Sequence, residues 1–118
     1  MLSEKAEALV KELENSKSAR GKVESQLMLV LHMGDVSMDV IAAKMGVSRQ
    51  TLFRRLKAEG VTFEKVLDEL RHRLALNYLG GRKASVNETA YLVGFSDPAA
   101  FSRAFKRWTG KSPSEMRG

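Results

Sequence analysis

Residues 48–58 concentrate side chains that could hydrogen-bond to the edges of DNA bases. On a helix that enters the major groove, Arg54 could pair with guanine through two donors, Gln50 could pair with adenine, and Thr51 could contact a phosphate or a thymine methyl group. Phe53 has two equally weighted interpretations, contact with a base methyl group and partial burial in the core. The candidate DNA-binding residues of this segment are Ser48, Arg49, Gln50, Thr51, Phe53, Arg54 and Arg55.

Residues 96–108 are also basic but offer fewer groups to a base. Ala99 and Ala100 have no side-chain donor, and the aromatic residues of this segment follow the spacing of a buried helix face. Ser102 and Arg103 remain as candidates for base readout, and Arg103 is the stronger of the two. The other cations are expected to contact phosphate, which fixes register without reading sequence. The candidate DNA-binding residues here are Ser96, Pro98, Ala99, Ser102, Arg103, Lys106 and Arg107.

Both segments follow a short predicted helix and a glycine, and the sequence repeats this arrangement. The repeat has an offset of 48 residues, which becomes 49 and then 50 further along the chain. The first matched pairs are Ala42 with Ala90, Gly46 with Gly94, Val47 with Phe95 and Ser48 with Ser96. A small alanine lets the second helix pack across the first, and the apolar residue after the glycine fills the angle between them, as a helix-turn-helix requires. An unrelated helical bundle with a coincidental repeat is the alternative.

Capping residues predict where the helices begin and end. Ser37, Ser48 and Asp97 each stand immediately before a predicted helix, and Ser85 with Glu88 forms a capping box. Alternation with a period of two residues is not sustained, so strands are not expected. An apolar stripe over 23–31 predicts a first helix that ends near Gly34. The further predicted helices span 37–45, 48–58, 62–79, 85–93 and 97–108, and a short turn of helix follows Ser112.

The predicted helix over 62–79 would connect the two halves of the repeat. Its predicted buried side consists of Phe63, Val66, Leu67, Leu70, Leu74 and Tyr78. Gly80-Gly81 is expected to end this helix as a C-cap and hinge. His72 is expected to face solvent, and His32 is expected to cap or pack near a helix end.

Residues 94–113, GFSDPAAFSRAFKRWTGKSP, closely resemble the signature of the AraC/XylS family of transcription regulators. The resemblance covers about residues 22–117 and includes residues 41–52, IAAKMGVSRQTL. It implies an all-α fold of about seven helices, in which a long central helix joins two homeodomain-like helix-turn-helix subdomains. It also implies that the second helices of the two subdomains enter successive major grooves on one face of the duplex.

The resemblance also implies which positions contact bases. By position, these are Gln50, Phe53 and Arg54 in the first unit and Pro98, Ala99, Ser102 and Arg103 in the second. Many relatives have polar side chains where this chain has residues 98–100, PAA, so the second unit loses groups that could reach a base. Met116 stands where the family usually has an aromatic residue, and we expect this change to affect only packing. The first unit is therefore expected to specify the DNA site, and the second to anchor and orient.

The charge distribution favours a polyanionic partner. The formal net charge is +6, and the first fifteen residues hold four glutamates against two lysines, which leaves +8 on residues 16–118. Nucleic acid is the leading partner and an anionic membrane surface the second. Charge alone does not choose between them. The predicted organisation is a charged tether or helix over 1–20, a first helix-turn-helix subdomain over 21–60, a linker helix over 61–81 and a second helix-turn-helix subdomain over 82–118.

The sequence does not indicate an enzyme, a cofactor or a metal site. His32 and His72 are far apart in the sequence, no glycine-rich phosphate loop is present, and the chain has no cysteine. No apolar run approaches the roughly 18 residues of a membrane span, and the N-terminus lacks the apolar core of a signal peptide. A cytoplasmic location is expected.

The leading hypothesis is sequence-specific duplex DNA binding and transcription regulation. The resemblance alone implies an activator that recruits RNA polymerase, and a separate N-terminal sensing or dimerisation domain. The chain is then either a stand-alone regulator or a C-terminal fragment of a larger one. The charged stretch from Leu2 to Leu13 looks like the tail of a linker, which favours the fragment. The alternative hypothesis is a helical protein-interaction module whose basic face meets an acidic partner without sequence-specific DNA binding. RNA binding fits less well, because the major groove of A-form RNA excludes helices.

Overall fold

The computed structural model of the chain describes residues 18–34 and 36–117. Within these residues it contains seven α-helices, one short 3-10 helix and no strand, which confirms the all-α fold. The predicted tether or helix over 1–20 falls almost entirely outside the described residues. In chain order the elements are α1 (Ala19–Val30), the 3-10 helix (Leu31–Met33), α2 (Met38–Lys44), α3 (Arg49–Ala58), α4 (Phe63–Gly80), α5 (Val86–Leu92), α6 (Pro98–Thr109) and α7 (Pro113–Arg117).

The chain folds as two compact units, and neither is one continuous stretch of chain. The described part of the first unit consists of residues 18–28 and 37–66, which include most of α1, all of α2 and α3, and the first turn of α4. The second unit consists of the described residues among 29–36 together with residues 67–117, which include the 3-10 helix, the rest of α4, and α5 to α7. Each unit therefore contains one pair of short helices joined by a turn.

Aliphatic side chains form the core of the first unit. Apolar residues recur there at spacings of three and four, so each helix turns one face inward. The buried residues are Ala19, Val23, Leu27, Ile41, Ala42, Leu52, Leu56, Phe63 and Val66. Glu59, just after α3, caps the start of α1: its carboxylate accepts hydrogen bonds from the amides of Ala19 at 2.6 Å and Arg20 at 3.0 Å. A carboxylate at this position satisfies amides that have no partner within the helix.

The second unit contains a cluster of aromatic rings in addition to aliphatic core residues. Phe101 and Phe105 of α6 are fully buried, with ring centroids 5.7 Å apart. Phe95 lies 5.6 Å from Phe101 and 6.1 Å from Trp108. His72 of α4 stacks on Trp108 at 5.5 Å with 25° between the ring planes. The prediction that His72 faces solvent is wrong, because its flat ring covers the indole and is half-buried there.

The buried face of α4 differs from the predicted face in the second half of the helix. Leu70 is buried as predicted, but Ala75 and Leu79 are fully buried, whereas Leu74 and Tyr78 are only half-buried. The predicted stripe is therefore wrong by one residue in this half. The buried positions shift between Leu70 and Ala75, and both of these residues belong to the second unit.

The end of α4 has a left-handed residue, but that residue is not a glycine. Gly80 is the last helical residue, and Arg82 takes the left-handed conformation with φ of 52°. The amide of Lys83 donates to the carbonyl of Tyr78 at 3.0 Å and closes the turn. The prediction that Gly80-Gly81 forms the C-cap is thereby corrected, since the helix ends at Gly80 but the residue after this glycine pair takes the left-handed position.

Candidate nucleic-acid interface

The first unit has the helix-turn-helix geometry that the sequence predicts. Ala42 of α2 is 1% exposed, and Gly46 is left-handed with φ of 73°. The amide of Val47 donates to the carbonyl of Ala42 at 3.0 Å, which closes the turn. Ser48 then caps α3 by accepting from the amide of Thr51 at 3.1 Å. These bonds determine where the second helix of the pair begins.

The second unit repeats the same turn. Ala90 of α5 is fully buried, and Gly94 is left-handed with φ of 93°. The amide of Phe95 donates to the carbonyl of Ala90 at 2.9 Å, and the Asp97 carboxylate caps α6 by accepting from the amide of Ala100 at 2.8 Å. The two turns use equivalent hydrogen bonds at equivalent positions. This equivalence confirms that the sequence repeat is a structural repeat.

The helix α3 turns its leucines inward and its hydrogen-bonding residues outward. Leu52 and Leu56 are at most 1% exposed, as predicted. Phe53 is 52% exposed, so the structure favours an outward ring over burial in the core. The exposed candidates on α3 are Arg49, Gln50, Phe53, Arg54 and Arg55.

Three other candidates at the start of α3 already have partners in the first unit. The Ser48 hydroxyl donates to Oγ1 of Thr51 at 2.9 Å, and Thr51 is half-buried. Nε of Arg49 lies 3.8 Å from the carboxylate of Asp39, and both side chains are largely exposed, so this ion pair is weak. Gln50 and Arg54 are therefore the stronger candidates for base readout on this helix.

The helix α6 presents fewer reading groups. Its buried residues are Phe101, Ala104 and Phe105. Pro98 and Ser102 are half-buried, and Ala99 is exposed but has no side-chain donor. The exposed candidates of this segment are Ser96, Ala99, Arg103, Lys106 and Arg107. Arg103 is the exposed candidate that combines a paired donor geometry with a central position on the helix.

An open groove of about 740 Å³ lies beside α3 within the first unit. Its lining is mostly apolar and includes Phe53, with Gln50 and Arg54 at the same surface. The other lining residues are Met38, Arg49, Leu56, Val61, Thr62, Phe63 and Glu64. An apolar surface beside hydrogen-bond donors can accept a thymine methyl group next to a hydrogen-bonded base.

Arg71 of α4 is a residue that the sequence analysis missed. Its Nε donates to the carbonyl of Val93 at 3.0 Å, and its guanidinium carbon lies 4.8 Å from the centre of the Phe95 ring. Burial lowers the pKa of Arg71, and the Asp68 carboxylate acts in the opposite direction. The available signal was its position four residues after Leu67, which places it beside the predicted buried stripe of α4.

The described residues contain neither a cluster of metal ligands nor a helix that could span a membrane. Within 18–34 and 36–117, no group of three or more histidine, aspartate and glutamate side chains could hold a metal ion. No helix in the same part of the chain is long and apolar enough to cross a bilayer. His32 lies in the last turn of the 3-10 helix and is exposed, so of its two expected roles, capping or packing, the structure does not support packing. The site therefore consists of cations, an amide and an aromatic ring on helix surfaces, a combination that suits a nucleic acid.

A family model described as a helix-turn-helix domain matches residues 41–118. The chain is also 36% identical over 118 residues to the ornithine utilization regulator of Pseudomonas aeruginosa, a match that covers 99% of this chain and 34% of that protein. The chain spans only a minority of the length of the curated regulators that it matches.

Solved structures with the same fold include DNA-binding domains. A transcriptional regulator from Chromobacterium violaceum, described as having an AraC-type DNA-binding domain, is 28% identical with a TM-score of 0.73, covering 86% of this chain and 91% of that chain. The DNA-binding domain of AdpA, a global transcriptional factor solved in complex with a target DNA, is 27% identical with a TM-score of 0.70, covering 85% of this chain and 90% of that chain.

Proposed function

Since this chain belongs to the AraC family of helix-turn-helix transcription regulators, we propose that it binds a specific duplex DNA sequence through both of its units and thereby regulates transcription. The observation that supports this best is the repeated turn. In the two units equivalent amide-to-carbonyl bonds of 3.0 Å and 2.9 Å precede a capped helix whose outer face exposes arginine. A capped helix that such a turn positions at the surface fits the major groove of B-form DNA.

In the proposed complex, α3 reads most of the sequence. Arg54 pairs with a guanine, Gln50 with an adenine, and the exposed ring of Phe53 contacts a thymine methyl group. The remaining candidates of the first unit position the helix on the sugar-phosphate backbone, and these are Ser48, Arg49, Thr51 and Arg55.

The second unit anchors the complex and reads less. Arg103 is its base reader, because it is exposed and can donate two parallel hydrogen bonds to guanine. Lys106 and Arg107 neutralise phosphates, which strengthens binding to every sequence. The other candidates lie at the start and on the flank of α6 and would contact the backbone or the groove wall: Ser96, Pro98, Ala99 and Ser102.

Selection of bound sites from random duplexes tests this function. We expect a motif with two elements, of which the element read by α3 has the stronger base preference, and a binding constant that falls steeply with salt. The alternative, a protein-interaction module with a basic face, would enrich no motif and would prefer an acidic polypeptide to duplex DNA. Recovery of no motif at any salt concentration contradicts the proposal.

The wider role of the protein is also a proposal. We infer that it acts in the cytoplasm as a non-enzymatic activator that recruits RNA polymerase, and that its action depends on an N-terminal sensing or dimerisation domain. The family membership and the greater length of the curated regulators support this. Transcription in vitro from a promoter carrying the selected site should increase when the full-length regulator is added, and unchanged or reduced transcription would count against activation.

A further inference from the structure

Arg71 contacts the turn of the second helix-turn-helix. We propose that Arg71 is a positioning residue for α6, and this proposal rests on the DNA-binding function proposed above. Its guanidinium contacts three successive residues of the turn. Nε donates to the carbonyl of Val93 at 3.0 Å, Nη2 lies 3.5 Å from the carbonyl oxygen of Gly94, and the guanidinium carbon lies 4.8 Å from the centre of the Phe95 ring.

The chemistry of these contacts suits a guanidinium. The last carbonyls of a helix have no partner within it and carry partial negative charge, and Val93 is the C-cap of α5. A cation strengthens the hydrogen bonds to these carbonyls, and its flat face is attracted to an aromatic ring. Although burial lowers its pKa, Arg71 stays protonated at physiological pH. The turn that Arg71 contacts therefore compensates its half-buried charge.

The backbone of the 3-10 helix also lies against this turn. A Cβ atom added at Gly94 would lie 2.6 Å from the carbonyl oxygen of Leu31 and 3.3 Å from Nη2 of Arg71. The 3-10 helix and the guanidinium therefore both lie against Gly94 and leave no room for a methyl group. A shift of the turn toward the space beside Gly94 would require the backbone at Leu31 or the half-buried cation to move.

Phe95 transmits the position of the turn to α6. Only Ser96 and Asp97 separate it from the first residue of that helix. Its ring packs 5.6 Å from Phe101 in the first half of α6 and 6.1 Å from Trp108 near the end. A ring that Arg71 keeps in place thus fixes the angle at which α6 leaves the turn, and with it the base pairs that α6 can reach.

The turn of the first unit provides an internal control. A Cβ atom added at Gly46 would meet nothing within 4 Å. The amides of Gly46 and Val47 are hydrogen-bonded as those of Gly94 and Phe95 are. A change that acts through Arg71 should therefore alter the second turn and leave the first unchanged.

The test uses three variants of the full chain. Arg71→Met keeps much of the side-chain volume and removes the charge. Arg71→Lys keeps the charge but lacks the planar fork that can contact two carbonyls and a ring together. Arg73→Met is the matched control, because Arg73 lies on the same helix and is exposed.

The first measurement is base discrimination on the duplex that the wild-type chain selects from random sequences. Arg54→Ala and Arg103→Ala assign the two halves of that duplex to α3 and α6. We expect Arg71→Met and Arg71→Lys to reduce discrimination at least tenfold in the α6 half and less than twofold in the α3 half, with Arg73→Met unchanged. An equal loss in both halves, or no loss in either, overturns the proposal.

The second measurement is amide hydrogen exchange without DNA, which does not depend on the proposed function. In Arg71→Lys, the amides of Gly94 and Phe95 should exchange at least tenfold faster than in the wild type, and those of Gly46 and Val47 at the wild-type rate. Equal acceleration in both turns, or none, contradicts positioning by Arg71. If the wild-type chain selects no motif, the DNA-binding function fails by itself, and the exchange rates still decide whether Arg71 holds the turn.

Discussion

Gly46 and Gly94 occupy the same position in two copies of one turn, yet their surroundings differ. A side chain at Gly46 would extend into open space, whereas a side chain at Gly94 would strike the carbonyl oxygen of Leu31 at 2.6 Å. The hydrogen bond across the turn is the same in both copies. The conserved part of the repeat is therefore the local bond pattern, and the enclosure of the turn comes from residues elsewhere in the second unit.

The helices that follow the two turns differ in their packing residues and in the hydrogen-bonding side chains that they expose. The helix α3 packs with two leucines and exposes three arginines, a glutamine and a phenylalanine. The helix α6 packs with aromatic rings and has two alanines near its start. Each buried aromatic ring removes a large apolar area from water. The second unit thus combines an enclosed turn with few exposed candidates for base readout, and the first combines an open turn with more of them.

The largest expected difference between the units concerns the two glycines. Gly94→Ala should lower the free energy of unfolding by about 4 kcal/mol, because left-handed strain adds to a clash with backbone. Gly46→Ala should lower it by about 1–2 kcal/mol, from the left-handed conformation alone. Urea unfolding of both variants measures the losses. Equal losses would mean that the second turn is no more enclosed than the first.

The second-largest expected difference concerns the effect of the two candidate base readers on DNA affinity. Arg54→Ala should weaken binding to the selected duplex by about 1–3 kcal/mol and relax specificity at one base pair, and Arg103→Ala should have the same kind of effect near the lower end of this range. Titration against a series of duplexes substituted at single base pairs measures both, with Arg55→Ala as the control for loss of charge. Unchanged affinity of Arg54→Ala for every duplex refutes its role as a reader.

The helix caps should show no difference between the units. Ser48→Ala and Asp97→Ala each remove a side chain that accepts from an amide of the first turn, at 3.1 Å and 2.8 Å. Each should lower the free energy of unfolding by about 1 kcal/mol, and Asp97→Asn should lower it by less because asparagine also caps helices well. Thermal or urea unfolding checks this, and a cap that costs nothing in one unit only would separate the two copies.

The smallest expected effect concerns anchoring. Arg107 is exposed on α6, and Arg107→Ala should weaken binding to selected and scrambled duplexes alike. The slope of the logarithm of the binding constant against that of salt should become less steep by about 0.9, the value for one phosphate contact. A change in base preference without a change in slope would instead make Arg107 a reader.

Local rules predicted much of the fold from the sequence. The N-caps at Ser37, Ser48 and Asp97 and the capping box of Ser85 all appear as predicted, because a cap depends on residues within one turn of the helix start. The repeat located both turns for the same reason. The outward position of Arg54 followed from the spacing of the leucines on α3.

The features that sequence analysis missed depend on residues distant in the chain. From the sequence alone, Arg71 resembles a surface charge. In the structure its Nε lies 3.0 Å from the carbonyl oxygen of Val93, which is 22 residues later in the chain. His72 becomes half-buried because its ring stacks on Trp108, which is distant in the sequence. The left-handed residue after α4 was misplaced because a glycine pair offers that conformation at lower cost than Arg82, which nevertheless adopts it. The base contacts themselves remain predictions for the same reason, since they depend on a partner.

The second unit consists of two separated segments of the chain, so part of it would be lost if only one segment were transferred to another protein. Residues 67–117 do not contain the buried Leu31, whose carbonyl lies against Gly94. A chimaera that grafts only those residues onto another regulator would lose this support while keeping every residue of the signature from 94 to 113. In this chain, substitutions of outward residues of α3 and α6 would instead leave the contact between Leu31 and Gly94 in place.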